Sequence, residues 1–401
     1  MLPARTGAVL HESYDELRGE VFMKVFGAGE LASDVQGGGL CIGCGACVDL
    51  CPYFRNHRGR TVRLFSCNLA QGRCYAACPK AEVDLDELAL AHRGASYRGD
   101  PIGPYEIAYA AKAGKAMAAG AYQAGGAVSA LLVAAMEQGL IEAAVLTGND
   151  EDGPLPVLAT SAAEIVACAS SKFSFAPTLA ALNRAAASGL RRLGFVGTPC
   201  QVMALAKMRT NPLARPDFVD PVSFVIGLFC NWSLDQRAFL AHLAGRLDLA
   251  RVKGMDIPPP PANVLRVDLG DEVMEIPLDE IRPFVPGTCG LCPDMTSEWA
   301  DISVGMHEGA PGWNTLLVRT AAGRSLVEHA VASDMLVVEA MPAASLEHLV
   351  EAAASKKRRA FKALKERGLV NPEGDTVRAV LRVKPEVLEA ILSATGGGSH
   401  V

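Results

Sequence analysis

Seven of the twelve cysteines in this 401-residue chain fall within two short motifs near the N-terminus. The first motif, CIGCGACVDLCP, begins at Cys41 and has the spacing C-x2-C-x2-C-x3-C-P. In bacterial ferredoxins this spacing lets three thiolates bind one 4Fe–4S cluster, while the fourth binds another cluster. Gly43 and Gly45 favour the tight turn that aims three sulfurs at one centre. Zinc or free thiols are the alternatives, but a structural zinc site rarely needs this run with its terminal proline.

The second motif, SCNLAQGRCYAACPK (residues 66–80), contains three cysteines where a regular partner motif contains four. A regular motif ending at Cys78 would place cysteines at positions 68 and 71, where Asn68 and Gln71 stand. Cys67 could replace the first of these by a one-residue shift, but no cysteine replaces Gln71. The ferredoxin pattern thus predicts two sets of ligands. The first cysteine group is Cys41, Cys44, Cys47 and Cys78, and the second cysteine group is Cys51, Cys67 and Cys74.

The missing thiolate leaves three interpretations of the second cysteine group. It could hold a 4Fe–4S cluster with one ligand other than cysteine, or a 3Fe–4S cluster. It could also hold no cluster, in which case its cysteines are structural.

Four of the other five cysteines occur where predicted strands meet loops. They are Cys200 in VGTPCQ, Cys230 in GLFCNW, and the pair Cys289 and Cys292 in GTCGLCPD, and we refer to them as the third cysteine group. A lone C-x2-C pair is compatible with zinc or with a redox disulfide. Together the four thiolates could converge on another cubane, and the alternative is scattered structural cysteines. Cys168, in the apolar run EIVACAS, is predicted to pack in the core.

Composition indicates an ordinary globular protein. The net charge is −6, with 50 % hydrophobic and 20 % charged residues, so we expect neither nucleic acid nor an anionic membrane surface as a partner. The first 22 residues lack a long apolar core, so we expect no secretory signal. The most apolar stretch is interrupted by Glu137, Gln138 and Glu142, so we expect no membrane span. Cysteines spaced for metal rather than for disulfides predict a cytoplasmic protein, where thiols stay reduced.

Apolar strand-like runs alternate with helical patterns from Ile107 onward, which predicts an α/β domain with a largely buried sheet. The segment 250–285 is predicted to be a small antiparallel insertion, and residues 96–106 read as a turn-rich linker. We therefore predict a mixed α+β and α/β chain of four parts. These are a leader (1–35) with a helix over residues 14–26, a ferredoxin-like 4Fe–4S domain (36–95), an α/β domain (105–340) and a helical tail (341–401) with the basic run KKRR.

Several motifs occur in the order found in one known family. AYQAGGAVSALLVAAMEQGLIEAAVLTG, SKFSFAPTLAAL, GFVGTPCQVMALAKM, GLFCNW and CGLCPDMTSEWADISVG resemble successive motifs of the coenzyme F420 hydrogenase/dehydrogenase beta-subunit family. The similarity covers roughly residues 105–335, and the cysteine motifs occupy the usual N-terminal place of a ferredoxin segment in that family. The imperfect second cysteine motif is a departure from the pattern of many relatives.

The resemblance implies that the α/β domain binds FAD and holds a 4Fe–4S cluster beside it, bound by the third cysteine group. Gly125 and Gly126 open a helix, whose N–H groups could meet the FAD phosphate. The residues that the resemblance marks as further flavin contacts are Ser129, Ser171, Lys172 and Thr198. Asp301, after the buried-looking Trp299, is predicted to cap a strand or orient a loop.

The family implies an iron–sulfur flavoprotein subunit, an oxidoreductase. Clusters carry single electrons, whereas FAD exchanges hydride with a soluble carrier such as coenzyme F420 or NAD(P). Its expected partners are other redox subunits of the hydrogenase, formate dehydrogenase or reductase type. One alternative is an electron relay without a substrate of its own. Another is a stand-alone reductase of an organic molecule, like the 7-hydroxymethyl chlorophyll reductase of plants.

Overall fold

The computed structural model describes residues 24–117, 122–150, 152–259, 261–371 and 380–394. The helix predicted for residues 14–26 lies mostly outside these ranges. From residue 24 onward the chain folds as a mixed α/β protein, as the alternating pattern predicts. None of the helices in the described ranges is long and apolar enough to cross a membrane.

Sixteen strands in the described ranges form four sheets. In chain order they are β1 (Phe54–His57), β2 (Arg60–Arg63), β3 (Val83–Asp84), β4 (Ile107–Ala113), β5 (Ala143–Asp150), β6 (Gly153–Ala159), β7 (Leu193–Gly197), β8 (Val222–Leu228), β9 (Gly254–Asp256), β10 (Val264–Asp268), β11 (Val273–Pro277), β12 (Ile302–Met306), β13 (Asn314–Val318), β14 (Leu336–Ala340), β15 (Val370–Asn371) and β16 (Leu381–Arg382). The central sheet has the order β14-β4-β13-β12-β8-β7-β5-β6. Its middle strands β12, β8, β7 and β5 run parallel, and the other pairings are antiparallel.

Helices cover both faces of this sheet, as a buried sheet requires. In chain order the α-helices are α1 (Ala28–Glu30), α2 (Arg73–Ala76), α3 (Leu85–Arg93), α4 (Ala127–Glu137), α5 (Ala162–Ala167), α6 (Thr178–Ala187), α7 (Pro199–Arg209), α8 (Gln236–Ala244), α9 (Leu278–Ile281), α10 (Ala321–Ala332), α11 (Ala343–Glu366) and α12 (Pro385–Ser393). A π-helix (Leu31–Gly37) follows α1, and 3-10 turns lie at Leu249–Arg251, Arg282–Phe284 and Gly287–Leu291. Helices α4, α5 and α10 share a core on one face, and α6 and α7 pack in the core of the other.

The cysteine-rich segment (residues 36–95) shares its hydrophobic core with the α/β part of the chain. Phe54 and Leu85, both fully buried, belong to the same cluster as Leu179 and Phe195. Gly43 and Gly45, in the loop of the first cysteine motif, have φ of 63° and 87°. A Cβ at Gly45 would come within 2.5 Å of the Pro177 carbonyl oxygen, so glycine lets this loop approach the N-terminus of α6.

The predicted insertion within 250–285 is confirmed: β9, β10 and β11 form an antiparallel three-stranded sheet. The tail contains the predicted helices α11 and α12 and also two short strands, β15 and β16. Strand β15 pairs in parallel with β16, and β16 pairs in parallel with β3 of the cysteine-rich segment. The tail therefore joins the N-terminal and C-terminal parts of the chain through one small sheet.

Candidate functional site

The first cysteine group lies around one small cavity. Cys41, Cys44, Cys47 and Cys78 all line it, and Lys80 forms part of the same wall. Burial raises the pKa of Cys44 well above its usual value, and the thiolates of Cys78, Cys200 and Cys41 add to this shift. Burial also raises the pKa of Cys78 to about 11. The four residues that ferredoxin spacing groups together thus meet at one cavity, and metal cations would offset the charge of their deprotonated sulfurs.

The second cysteine group lies nearer the surface. The pKa of Cys74 is raised to about 11, mainly by burial and in part by the thiolates of Cys51 and Cys67. The three thiols are therefore neighbours. Cys51 and Cys67 are half-buried, whereas Cys74 is buried. Asn68 and Gln71, which occupy the regular ligand positions, are exposed. The structure brings together the three cysteines that the sequence predicts.

The third cysteine group comes from three separate parts of the chain. Thr198 caps α7 in a reciprocal capping box, and Cys200 follows in the first turn, with its sulfur 3.3 Å from the Thr198 hydroxyl. Cys230 follows β8, so both cysteines lie at the carboxyl ends of adjacent parallel strands. The prediction that Cys289 and Cys292 also lie at a strand end is wrong. They lie in and just after the 3-10 turn Gly287–Leu291, ten residues before β12 begins.

Burial and neighbouring thiolates raise the pKa values of Cys200, Cys230 and Cys289. The pKa of Cys200 rises to about 12, mainly through burial and then through the thiolates of Cys292 and Cys289. Burial also raises the pKa of Cys230, with further contributions from Cys200, Cys289 and Cys292. All four thiols are therefore close enough to interact. Cys168 is not part of any group and packs partly buried against the core formed by α4 and β5, as predicted.

Two buried lysines face the third cysteine group. The Lys356 ammonium donates hydrogen bonds to the carbonyl oxygens of Cys230 at 2.5 Å and Asp294 at 2.9 Å. Burial lowers the pKa of Lys356, but the thiolates of Cys292 and Cys230 outweigh this effect, so the net pKa is raised. Lys80 donates to the Leu291 carbonyl oxygen at 3.4 Å, and its charge lowers the pKa of both Cys200 and Cys289. These buried cations offset negative charge that thiolates would otherwise carry into the interior.

The three cysteine groups are arranged in a row. The thiolate of Cys74 in the second group raises the pKa of Cys47 in the first. The thiolate of Cys200 in the third group raises the pKa of Cys44, which is also in the first. The first group therefore lies between the other two. In the described ranges, no set of three or more His, Cys, Asp or Glu side chains is arranged to hold a metal ion. The thiolate ligands of one tetrahedral zinc ion all lie about 2.3 Å from that ion. The thiolates of a cubane bind separate irons, so their sulfurs stand farther apart from one another.

The Gly125–Gly126 turn opens α4 at the same edge of the central sheet. Strand β4 runs parallel to β12, since β13 is antiparallel to both, so the loop after β4 faces the same edge as Thr198 and Cys230. Gly126 has φ of 76° and no side-chain cap, and the Ala127 N–H donates to the Asn314 side-chain oxygen at 3.1 Å. A Cβ on Gly125 would come within 2.8 Å of that same oxygen.

The other predicted flavin contacts occupy two neighbouring regions. Ser129 is buried in the first turn of α4. Gln123 accepts a hydrogen bond from the Ser171 N–H at 2.8 Å, which ties the loop before α4 to the loop at Ser171. The Lys172 ammonium donates to three backbone oxygens, at 2.6 Å from Ala169, 2.9 Å from Ser170 and 3.2 Å from Cys168. A contact between Lys172 and flavin therefore stays a prediction.

Lys357 forms a buried ion pair beneath the third cysteine group. Its ammonium lies 3.3 Å from Glu298 and 3.0 Å from the Tyr97 hydroxyl, and both charged side chains are 2 % exposed. Burial alone lowers the pKa of Lys357, but Glu298, Tyr97 and Asp294 together outweigh it and the net pKa is raised, so the ammonium stays charged. Asp301, as predicted, orients its surroundings, since it accepts hydrogen bonds from the Val225 N–H and from Thr320.

We expect Lys357→Met to destabilise the protein by about 3–5 kcal/mol, because it leaves Glu298 buried without a counter-charge. Thermal unfolding of anaerobic protein measures this as a lowered Tm. Arg359→Met, an exposed position on the same helix, is the control and should change Tm little. Adding Glu298→Gln to Lys357→Met should recover part of the loss. A Tm equal to that of the control variant would contradict the role of the pair.

Comparison with known proteins agrees with this architecture. Residues 108–183 match the family model "Coenzyme F420 hydrogenase/dehydrogenase, beta subunit N-term", and residues 190–344 match its C-terminal counterpart. The chain therefore belongs to the coenzyme F420 hydrogenase/dehydrogenase beta-subunit family, and it is an oxidoreductase. The resemblance recognised from the sequence motifs is confirmed. The cysteine-rich segment precedes both matched ranges.

Individual relatives carry names of redox complexes. The coenzyme F420 hydrogenase subunit beta of Methanothermobacter thermautotrophicus is 31 % identical over 262 residues, which is 62 % of this chain and 92 % of that protein. The coenzyme F420-dependent sulfite reductase of Methanocaldococcus jannaschii is 26 % identical over 73 % of this chain and 46 % of its own length. A chain of the F420-reducing NiFe hydrogenase complex from Methanosarcina barkeri superposes with a TM-score of 0.61 at 26 % identity, over 67 % of this chain and 94 % of that chain.

Proposed function

We propose that this chain is an iron–sulfur flavoprotein subunit that passes electrons between 4Fe–4S clusters and FAD. Hydride exchange at FAD would serve a soluble carrier, coenzyme F420 or NAD(P). The observation that carries the proposal is the row of three cysteine groups, in which Cys74 of the second group neighbours Cys47 of the first, and Cys44 of the first neighbours Cys200 of the third. A row of sulfur-lined sites that leads from the N-terminal segment to the edge of the central sheet suits electron transfer better than it suits isolated structural metals.

The residues fit the groups that the proposal requires. The first cysteine group would hold one cluster at its shared cavity, and the third would hold another, with Lys80 and Lys356 offsetting its charge. The second group would hold a cluster with an irregular ligand set. Clusters supply one-electron chemistry, and FAD supplies the two-electron hydride step.

FAD would bind at the sheet edge beside the third group. Beyond Ala127, whose N–H donates to Asn314, the first turn of α4 would offer N–H groups to a phosphate, and Gly125 and Gly126 place no side chain in front of it. Ser129, Ser171 and Thr198 border the same edge and would contact the flavin. No acid or nucleophile is required of the protein, because positioning and charge set the course of the reaction.

The choice of coenzyme F420 as the hydride carrier rests on the names of the relatives. Proteins similar to this chain are named as subunits of coenzyme F420 hydrogenase and F420H2 dehydrogenase, and one as a coenzyme F420-dependent sulfite reductase. By the same comparison, this chain would work with other redox subunits. NAD(P) remains the carrier to be tested beside coenzyme F420.

We expect anaerobically purified protein to contain FAD rather than FMN, and the isolated chain to reduce methyl viologen with reduced coenzyme F420. Chromatography of acid-released flavin identifies the nucleotide, and anaerobic spectrophotometry with F420H2, NADH and NADPH identifies the carrier. FMN, or no flavin, would contradict the FAD site. Bound FAD with none of the three carriers active would favour a pure electron relay, and activity on an organic substrate without partner subunits would favour a stand-alone reductase.

A further inference from the structure

Exposed apolar side chains flank Cys67 of the second cysteine group in the sequence. Val62, Leu64, Phe65 and Leu69 are exposed by 47, 51, 60 and 64 %, and Cys67 lies between the last two in sequence. Phe65 packs its ring against Tyr53 with centroids 5.9 Å apart, and the Leu64 N–H donates to the Tyr53 carbonyl oxygen at 2.7 Å, so this segment is held beside the residues that follow Cys51. Several large apolar side chains exposed within one short segment are uncommon on a protein without a partner and mark an interaction site.

The same surface is basic, although the chain as a whole is acidic. Residues 52–81 contain five arginines and no Asp or Glu, in a chain of net charge −6. Arg58 and Arg60 pair with Asp152 and Asp235 of the α/β part. Arg55, the direct β-sheet partner of Val62, lies 3.9 Å from Asp49, and Arg73 has no ion pair with any residue of the described ranges. We define the docking patch as Arg55, Val62, Leu64, Phe65 and Leu69, with Arg73 at its rim.

The docking patch lies beside one end of the row of cysteine groups. Cys67 of the second group is half-buried and lies in sequence between exposed Phe65 and Leu69. The third group lies at the other end of the row, where the Lys356 ammonium contacts the Cys230 carbonyl oxygen. A protein that exchanges electrons with this chain from the docking patch therefore finds its shortest route at the second group.

We propose that the docking patch binds a one-electron carrier protein whose own redox centre is surrounded by acidic residues. This inference rests on the proposed function and names the donor that the function requires. Opposite charges steer the encounter and set the orientation, while Leu64, Phe65 and Leu69 exclude water at the centre of the contact. Each carrier loses one electron, so two carriers dock in turn for every flavin that takes up two electrons and two protons from solvent.

The test measures binding of an acidic two-cluster bacterial ferredoxin by surface plasmon resonance, with full-length protein that carries its iron and flavin. We expect Arg55→Glu and Leu69→Gln each to weaken binding about tenfold or more, and rising salt to weaken binding of the wild type. Lys362→Glu, an exposed charge reversal on α11, is the matched control and should bind like the wild type. Flavin reduction by reduced methyl viologen, a small donor, should be equal in all four proteins.

Equal ferredoxin binding by the wild type, Arg55→Glu and Leu69→Gln would overturn the inference, as would no binding by the wild type. If light scattering shows a wild-type dimer that Leu69→Gln dissolves, a second copy of the chain covers the patch instead. Wild-type protein that contains no iron or no flavin would contradict the proposed function itself. If Arg55→Glu and Leu69→Gln keep full cofactor content, rapid reduction by methyl viologen and unaltered ferredoxin binding, the docking patch alone is contradicted.

Discussion

Replacement of Cys289 by Ser is expected to remove about four iron atoms per chain, one cubane, while the first cysteine group keeps its metal. Cys292 lies close enough to Cys200, Cys230 and Cys289 to raise the pKa of each of them. A serine hydroxyl is a poor substitute for a thiolate that would otherwise bind iron. Flavin should still bind, because the Gly125–Gly126 turn is on a different loop.

The electron route supplies the second readout for this variant. Electrons that enter at the N-terminal groups should no longer reach the flavin, since Cys200 of the third group is the neighbour of Cys44 in the first. Cys168→Ser is the matched control, because this cysteine belongs to no group and packs against the core. Full iron content together with wild-type flavin reduction would show that the four cysteines serve only packing.

The second large effect is expected for Cys44→Ser. Cys44 is buried, lines the shared cavity with Cys41, Cys47 and Cys78, and interacts with all three thiols. We expect loss of one 4Fe–4S cluster and destabilisation of residues 37–90, because so small a segment relies on metal for part of its folding free energy.

Iron analysis and limited proteolysis of the anaerobic protein measure these two consequences. Loss of the cluster should expose the loops around Gly43 and Gly59 to protease, since a Cβ at Gly43 would come within 2.1 Å of the Gly59 carbonyl oxygen and the loops pack closely. Cys168→Ser again serves as the control. Iron content and cleavage pattern indistinguishable from those of the wild type would refute the assignment of Cys44 as a ligand.

Local patterns in the sequence predicted most of the central sheet. Strands β4, β7, β8, β12 and β13 and helices α4, α6 and α8 fall within stretches whose pattern reads as strand or helix, and β5 and α10 overlap such stretches, because burial on both faces leaves an apolar run that is visible residue by residue. Helix α7 was not predicted, since its start at Pro199 reads as a turn after β7. Strand β6 was not predicted. It contains Pro154 and Pro156, which read as turn residues, but it lies at the edge of the sheet, where a missing N–H is tolerated.

The basic run KKRR shows where sequence reasoning could not identify a functional environment. Lys356 and Lys357 are buried beside Cys230 and Glu298, whereas Arg359 on the same helix is exposed. Four consecutive cations look alike in sequence and commonly form a solvated face. Only the packing of α11 against the α/β part decides which two enter the interior. Lys80 is also buried and also faces the third cysteine group. Its position directly after Cys78 and Pro79 is a sequence signal that could have indicated this role.

By itself, the sequence determined the family, the alternation of strands and helices, and the assignment of seven N-terminal cysteines to two groups. These properties depend on spacing within short stretches, where sterics and ligand geometry act locally. The tertiary structure alone decided that Cys289 and Cys292 join Cys200 and Cys230 from a 3-10 turn, and that β15 and β16 join β3. It also decided that the three cysteine groups form a row. Contacts between residues far apart in the chain arise from the packing of whole elements, which no local spacing encodes.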